Sequence, residues 1–344
     1  MKKKSLNAQK INHKYIRKLL TQNHIKLIFN RFEKQLNTQQ SYLVAISGGS
    51  DSLALAFLSK CFQIKYNTKF YYYIVDHNLR ANSSKEAQKA NKILKKINIK
   101  CRILKWRGTK PSSNIQAIAR HNRYSLLEKQ CVRTKSTNIL LGHQKEDLYE
   151  NFFIRMIRGS GLKGLVSLGK KYTNNKINYL RPLLDFKKRD LEKLTLKVFN
   201  TFIKDPSNTD ENFTRIRIRK LLKNLQKEGL DDKKLNLTIQ NLKKSNNAIE
   251  YYAKKNVEDN LTFQINKKKA FLSKDFLNHP NEVIMRSLNL IIKIIGGQYY
   301  PPRGKKIDFL INELKLNINF KKGTLGGCLF KKINETIIIS KERG

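Results

Sequence analysis

Short apolar runs alternate with stretches of helical periodicity along the first half of the chain. Tyr42–Ile46, Phe70–Val75, Ile103–Trp106 and Asn138–Leu141 are β-prone runs. Between and after them, Leu53–Cys61, Ser84–Ile97, Ile115–Gln130 and Asp147–Ile157 repeat apolar residues at helical spacing. Strands that alternate with helices need right-handed crossovers. The pattern therefore predicts an α/β fold, a doubly wound, mainly parallel sheet with helices on both faces, over residues 41–226. Ahead of it lies a basic lead-in over residues 1–40, where Ile25, Ile28, Phe32 and Leu36 predict one amphipathic helix.

The pattern changes beyond residues 227–234, where Gly229 and the paired Asp231 and Asp232 suggest a hinge. Leu235, Ile239, Leu242, Ile249, Tyr252 and Val257 then mark a long helix. Tyr299-Tyr300-Pro301-Pro302 breaks the chain before a helix near Ile307–Leu316. Turn and strand signals follow, in Lys322-Gly323-Thr324-Leu325-Gly326-Gly327 and Ile337–Ile339. Residues 235–344 thus read as a second, smaller α+β domain.

Charge adds a candidate partner. The chain carries 71 Lys and Arg against 26 Asp and Glu, a formal net charge of +45. Such a field favours polyanions, because each phosphate neutralised releases condensed counterions. An AT-rich coding sequence, which favours Lys, Asn and Ile, produces the same bias with no partner at all. Charge alone leaves the two readings level. Cys61, Cys101, Cys131 and Cys328 are scattered, without a C-x-x-C pair or zinc spacing, as expected of reduced thiols. No stretch reaches the ~18 apolar residues of a membrane span. Met1-Lys2-Lys3-Lys4 leads into no apolar core of a signal peptide. A cytoplasmic protein without a membrane partner is the expectation.

Ligands of open parallel sheets gather at the carboxyl ends of the strands. Here those ends carry Ser47-Gly48-Gly49-Ser50-Asp51-Ser52, Asp76-His77 and His143. In the first, adjacent glycines admit an anion close to the backbone, and the following helix start adds free N–H groups and a positive dipole end. The turn suits a pyrophosphate. It lacks the Gly-Lys-Ser/Thr ending of loops used for γ-phosphate transfer. Asp51, a carboxylate among phosphates, calls for Mg²⁺ between them. The plainer alternative is a helix start with Asp51 or Ser52 as its cap. Two other signals are discounted. Gly159-x-Gly161-x-x-Gly164 follows a helix rather than a strand, and Tyr71-Tyr72-Tyr73 fits core packing better than base stacking.

The hexapeptide resembles the signature of the PP-loop ATP pyrophosphatase superfamily, the adenine nucleotide alpha hydrolase-like fold. Val75-Asp76-His77-Asn78-Leu79-Arg80, Asn114-Ile115-Gln116-Ala117-Ile118-Ala119-Arg120 and Leu141-Gly142-His143-Gln144-Lys145-Glu146-Asp147-Leu148-Tyr149-Glu150-Asn151 follow in order. Arg158–Leu165, Arg181-Pro182-Leu183-Leu184 and Asp205-Pro206-Ser207-Asn208 complete a likeness to the tRNA(Ile)-lysidine synthetase family. It runs from about Ser41 to Leu225, and Thr324–Gly327 echoes that family's C-terminal region. Two positions depart from the usual pattern: Gln144 stands where a second His is common, and Asn151 where Thr is.

The resemblance implies ATP as co-substrate with Mg²⁺, and ligation of free L-lysine to the wobble cytidine of tRNA(Ile) bearing a CAU anticodon. Ser47, Gly48, Gly49, Ser50, Asp51 and Ser52 are then the nucleotide-binding residues. Asp51, Asp147 and Glu150 are the metal candidates. Arg120 is the cation for the α-phosphate, and His143 or Asp147 the proton acceptor. Taken alone, Asp147 and Glu150 equally fit a solvated helix face, and His143 an ordinary sheet-end histidine. A homodimer is allowed. The rival readings are a PP-loop tRNA thiolase, which needs cysteine pairs, and a non-catalytic tRNA-binding relative.

Overall fold

The computed structural model describes residues 13–342 apart from 80–81, 110–114, 175, 205–212, 265–268, 298–301, 303 and 318. Met1–Lys4, Arg80, Asn114, Asp205-Pro206-Ser207-Asn208 and Tyr299-Tyr300-Pro301 lie outside the described residues. The chain forms two compact units, Met1–Asp231 and Asp232–Gly344.

In the first unit, α1 (Asn23–Glu33) precedes β1 (Tyr42–Ile46), α2 (Ser50–Tyr66), β2 (Phe70–Asp76), α3 (Ser83–Lys95) and β3 (Cys101–Lys105). Then come α4 (Ile115–Thr134), β4 (Asn138–Leu140), α5 (Lys145–Ile157) and the single turn α6 (Leu162–Leu165). A short hairpin, β5 (Lys171–Asn174) and β6 (Ile177–Leu180), leads to α7 (Lys188–Phe199) and α8 (Thr214–Lys227). The sheet order is β3-β2-β1-β4-β6-β5, with only β5 antiparallel to its neighbour. Strands run outward in both directions from the β1/β4 pair, which makes that pair the topological switch point where such sheets bind ligands.

Alternation along the strands explains the two packed faces. Tyr42, Val44 and Ile46 of β1 join Phe57, Phe62, Leu191 and Phe199 in one buried cluster, whereas Leu43 joins Tyr73, Leu127, Cys131 and Ile139 in the other. The tyrosine run divides the same way, Tyr72 to the first face and Tyr71 and Tyr73 to the second, so it packs as core. Helix α1 buries Ile25, Ile28, Phe29 and Phe32 in the first cluster, so residues read as a lead-in belong to the same body as the sheet. Helix α2 begins at Ser50, three residues before the apolar pattern, because Ser and Asp in a first turn suit the free N–H groups and positive dipole end there.

The second unit opens with the long α9 (Asp232–Asn260), followed by β7 (Leu261–Phe263), β8 (Lys269–Leu272), α10 (Asn281–Ile295), α11 (Gly304–Leu316), β9 (Lys322–Leu325), β10 (Cys328–Ile333) and β11 (Thr336–Lys341). Its sheet, β7-β8-β11-β10-β9, is antiparallel throughout. Ile284, Leu288, Ile291 and Ile292 of α10 and Ile307, Ile311 and Leu314 of α11 cover Phe330 and Ile339. The β9–β10 turn uses Gly326 and Gly327 at φ 64° and 75°, the left-handed region that glycine enters without strain.

Candidate active site

The hexapeptide after β1 is half loop and half helix. Gly48 takes φ 90°, and a Cβ there would fall 2.7 Å from Ile203 Cδ1, so both conformation and space demand glycine. Gly49 is the extended N-cap, and the first helical bond runs from the Leu53 N–H to Gly49 O at 3.1 Å. The Ser52 hydroxyl turns inward and accepts the N–H groups of Ser47 and Gly48 at 3.2 and 3.1 Å. Those two donors therefore tighten the loop. The N–H groups of Ser50, Asp51 and Ser52, in the first turn of α2, have no intrahelical acceptor and are the ones available to an anion. From α7, the Thr195 hydroxyl donates to Ser50 O at 2.7 Å and anchors the turn.

The end of β4 presses against this turn. A Cβ on Gly142 would lie 3.2 Å from Ser52 Cα and 3.3 Å from Ser52 N, so the missing side chain lets the chain beyond β4 meet the first turn of α2. Beyond it, Gln144 caps α5. Its Oε1 accepts the Glu146 N–H at 2.6 Å while Asp147 Oδ2 accepts the Gln144 N–H at 3.0 Å, a reciprocal capping box. Gln144 is buried, so the departure from the family pattern has a structural job. Asn151 donates to the Ser167 hydroxyl at 3.4 Å.

Two electrostatic halves face each other here. On the acidic side, burial and then the neighbouring Asp147 carboxylate push Asp51 up to about 6, against the pull of Lys188 and a hydrogen bond from Ser50. Glu150 is buried and paired with Arg219 of α8, yet burial still raises it above the ordinary carboxylate range. Its Oε2 has no hydrogen-bond partner among the described residues. On the basic side, burial followed by Arg181, Arg120, Arg215 and Arg123 holds His143 down to about 3, so the ring is neutral. His143 Nδ1 is buried without a hydrogen-bond partner among the described residues. Arg120 stands over the Tyr124 ring at 4.9 Å, and Arg123 Nε donates to His77 Nε2 at 3.2 Å. Asp76, by contrast, is taken up by structure, accepting the Asn78 N–H at 3.0 Å and the Ser84 hydroxyl at the start of α3.

The fold thus brings Ser47–Ser52, His143, Asp147 and Glu150 to one end of the sheet, with Arg120 within electrostatic reach of His143. Among the described residues no three His, Cys, Asp or Glu side chains cluster tightly enough to hold a metal alone. The Asp51–Asp147 pair still fits Mg²⁺. The Asp147 carboxylate disfavours the ionised form of the buried Asp51, a setting that a cation relieves, and Mg²⁺ in nucleotide sites takes one or two carboxylates and completes its shell with phosphate oxygens and water. Lys188, Arg215 and Arg219 were not singled out from sequence. Arg215, Arg217 and Arg219 of α8 form an alternating basic run whose only cue was its place after Asp205–Asn208. Gly159 and Gly161 face open space around α6, with no phosphate-binding strand before them.

Residues 18–225 match the PP-loop domain family model. The chain is 32% identical over 317 residues to the tRNA(Ile)-lysidine synthase of Orientia tsutsugamushi, covering 88% of this chain and 69% of that protein. It is 30% identical to that of Wolbachia pipientis, covering 90% and 74%, and 31% identical to that of Rickettsia typhi, covering 92% and 75%. Among solved structures, a U34-tRNA thiolase from Methanococcus maripaludis superposes with a TM-score of 0.55 at 18% identity, over 64% of this chain and 78% of that one, and shares the fold.

Proposed function

Since this chain belongs to the tRNA(Ile)-lysidine synthase family of ATP-using PP-loop enzymes, we propose that it ligates free L-lysine to the wobble cytidine of tRNA(Ile) bearing a CAU anticodon, releasing AMP and diphosphate. The observation that supports this most is the juxtaposition at the β1/β4 switch point. Anion-binding N–H groups, a carboxylate pair and an arginine ring converge there on one strand end.

The α2 N-terminus receives the β- and γ-phosphates, the part of ATP that leaves. Asp51 and Asp147 would hold Mg²⁺, whereas Glu150, read from sequence as a third metal candidate, pairs with Arg219 and forms no three-carboxylate cluster with them. The ion supplies charge neutralisation for the departing diphosphate. Arg120 and the arginines around it stabilise charge that develops as the carbonyl oxygen of the cytosine base attacks the α-phosphate. The lysine ε-ammonium must lose a proton before it attacks the adenylated base and displaces AMP. His143 is too weak a base while burial and, after it, four arginines depress it. Phosphates that neutralise those arginines raise its basicity when it is needed, and Asp147 is the other acceptor in reach of the site. An anticodon base is already unpaired, so extruding it costs little.

The thiolase reading is disfavoured by the thiols. Burial raises all four cysteines, Cys101 and Cys131 to about 12 and Cys328 to about 11, far from a reactive thiolate. The deciding experiment offers labelled lysine to tRNA(Ile) with a CAU anticodon. Covalent label that depends on ATP and Mg²⁺ is expected. Sulfur incorporation, or no label from folded protein, would overturn the proposal.

A further inference from the structure

Trp106, the one tryptophan of the chain, stands immediately beyond β3 and has no part in the site described above. Its N–H donates to Asp76 O at 2.9 Å, so the parallel ladder that pairs Asp76 with Lys105 continues and sets Trp106 beside His77. Strand parity gives the face. Leu104 and Val75 pack in the layer of Leu127 and Tyr73, and Trp106 and His77 follow them at the two-residue period. The Arg123–His77 pair described above belongs to that layer.

The indole is half-buried, yet it is a member of neither apolar cluster flanking the sheet. Its main support is Gly108. A Cβ on Gly108 would fall 2.5 Å from Trp106 Cζ2 and 2.7 Å from Cε2, so any larger residue would push the ring out of this position. A large aromatic that the core does not absorb thus packs on the backbone at Gly108, at the ligand-binding end of the sheet. Lys105 and Arg107 are exposed on either side of it. A rigid aromatic face next to cations is what stacking on a base requires.

We propose that Trp106, braced by Gly108 and flanked by Arg123 and His77, is a stacking platform for a nucleobase. Two nucleobases reach this sheet end: the adenine of ATP, and an unpaired base of the tRNA anticodon loop. The second source rests on the lysidine-forming reading; the first rests only on ATP use.

Because the chain has a single tryptophan, its emission reports on this ring alone. The full chain is titrated with ATP and, separately, with an anticodon stem-loop RNA, binding being confirmed by filter retention. Quenching by ATP identifies adenine as the occupant, and quenching by the RNA alone identifies an anticodon base. Bound ATP and bound RNA that both leave the emission unchanged would overturn the platform. In turnover assays Trp106→Ala should raise the KM of the quenching partner about 5- to 100-fold, and Trp106→Phe should restore most of it. A Trp106→Ala protein with wild-type melting temperature and both KM values unchanged would also overturn it. Failure of the lysidine reading shows separately, as wild-type protein that binds and is quenched by ATP but attaches no labelled lysine.

Discussion

Gln144 and Asp147 hold each other across the first turn of α5, Asp147 Oδ2 accepting the Gln144 N–H at 3.0 Å. In return Gln144 Oε1 takes the Glu146 N–H, so the residue that replaces the family's second histidine is spent on starting a helix. Its service to the site is indirect, since the cap fixes where Asp147 points. Gln144→Ala should therefore cost about 1 kcal/mol of stability, as lost caps do. It should also lower kcat more than it raises the KM for ATP. Urea denaturation and steady-state kinetics check both. Unchanged stability would mean that the cap contributes nothing.

Asp51 faces Asp147 in a buried setting that raises its carboxyl to about 6. With an ordinary value in the unfolded chain, the folded state binds more protons here between about pH 4 and pH 6, so the contribution of Asp51 to stability falls as pH rises through that window. Above pH 6 the ionised form carries the full penalty. Asp51→Asn should then be more stable than the parent at pH 7.5, by on the order of 1–2 kcal/mol, with the gain vanishing below about pH 4. The same variant should lose diphosphate release. Added Mg²⁺ should raise the melting temperature of the parent and leave the variant unmoved. A variant that is both less stable and fully active would contradict this account.

Local structure was legible in the sequence wherever the residues that set it lie near each other in the chain. Ser47–Ser52, the β1–β4 runs and the long α9 all belong to this class. Contacts between distant residues were not. Glu150 reads as a metal candidate from its spacing to Asp147, and nothing local announces Arg219, 69 residues on, as its partner. Thr195 holds Ser50 across 145 residues in the same way. The inward turn of Ser52 was hidden for another reason. A serine in a phosphate loop can serve ligand or backbone, and only the folded turn shows its hydroxyl between the Ser47 and Gly48 N–H groups. The hairpin β5–β6 escaped because Lys171–Asn174 and Ile177–Leu180 mix polar and apolar residues and neither forms an apolar run.

His143 supplies the clearest pH signature. Burial, then Arg181, Arg120, Arg215 and Arg123, lower it to about 3, whereas in the unfolded chain it titrates near its ordinary 6.5. The unfolded state thus binds the extra proton between those values. The contribution of His143 to stability should be fully present above about pH 6.5 and drain away as pH falls toward 3, opposite in sign to that of Asp51. His143→Asn should flatten that part of the stability profile. Non-hydrolysable ATP should move the histidine resonance to a higher pKa, because its phosphates offset the arginines. A ring that already titrates near 6.5 in the ligand-free protein would refute the arginine-ring description.

The net charge of +45 is the feature for which sequence left a functional and a neutral explanation level. The two part ways in salt. If Lys and Arg engage tRNA phosphates, each contact releases counterions, and log affinity falls steeply and linearly with log salt. Several such contacts would cost about 10³-fold or more between 50 and 200 mM salt. ATP meets a few fixed donors at the α2 N-terminus and a partly buried arginine cluster, which salt screens far less. Filter binding of tRNA(Ile) across a salt titration, beside ATP binding under the same conditions, measures both slopes. A steep tRNA slope with a shallow ATP slope is expected. Equal shallow slopes would assign most of the positive charge to coding bias and leave tRNA recognition to a handful of side chains.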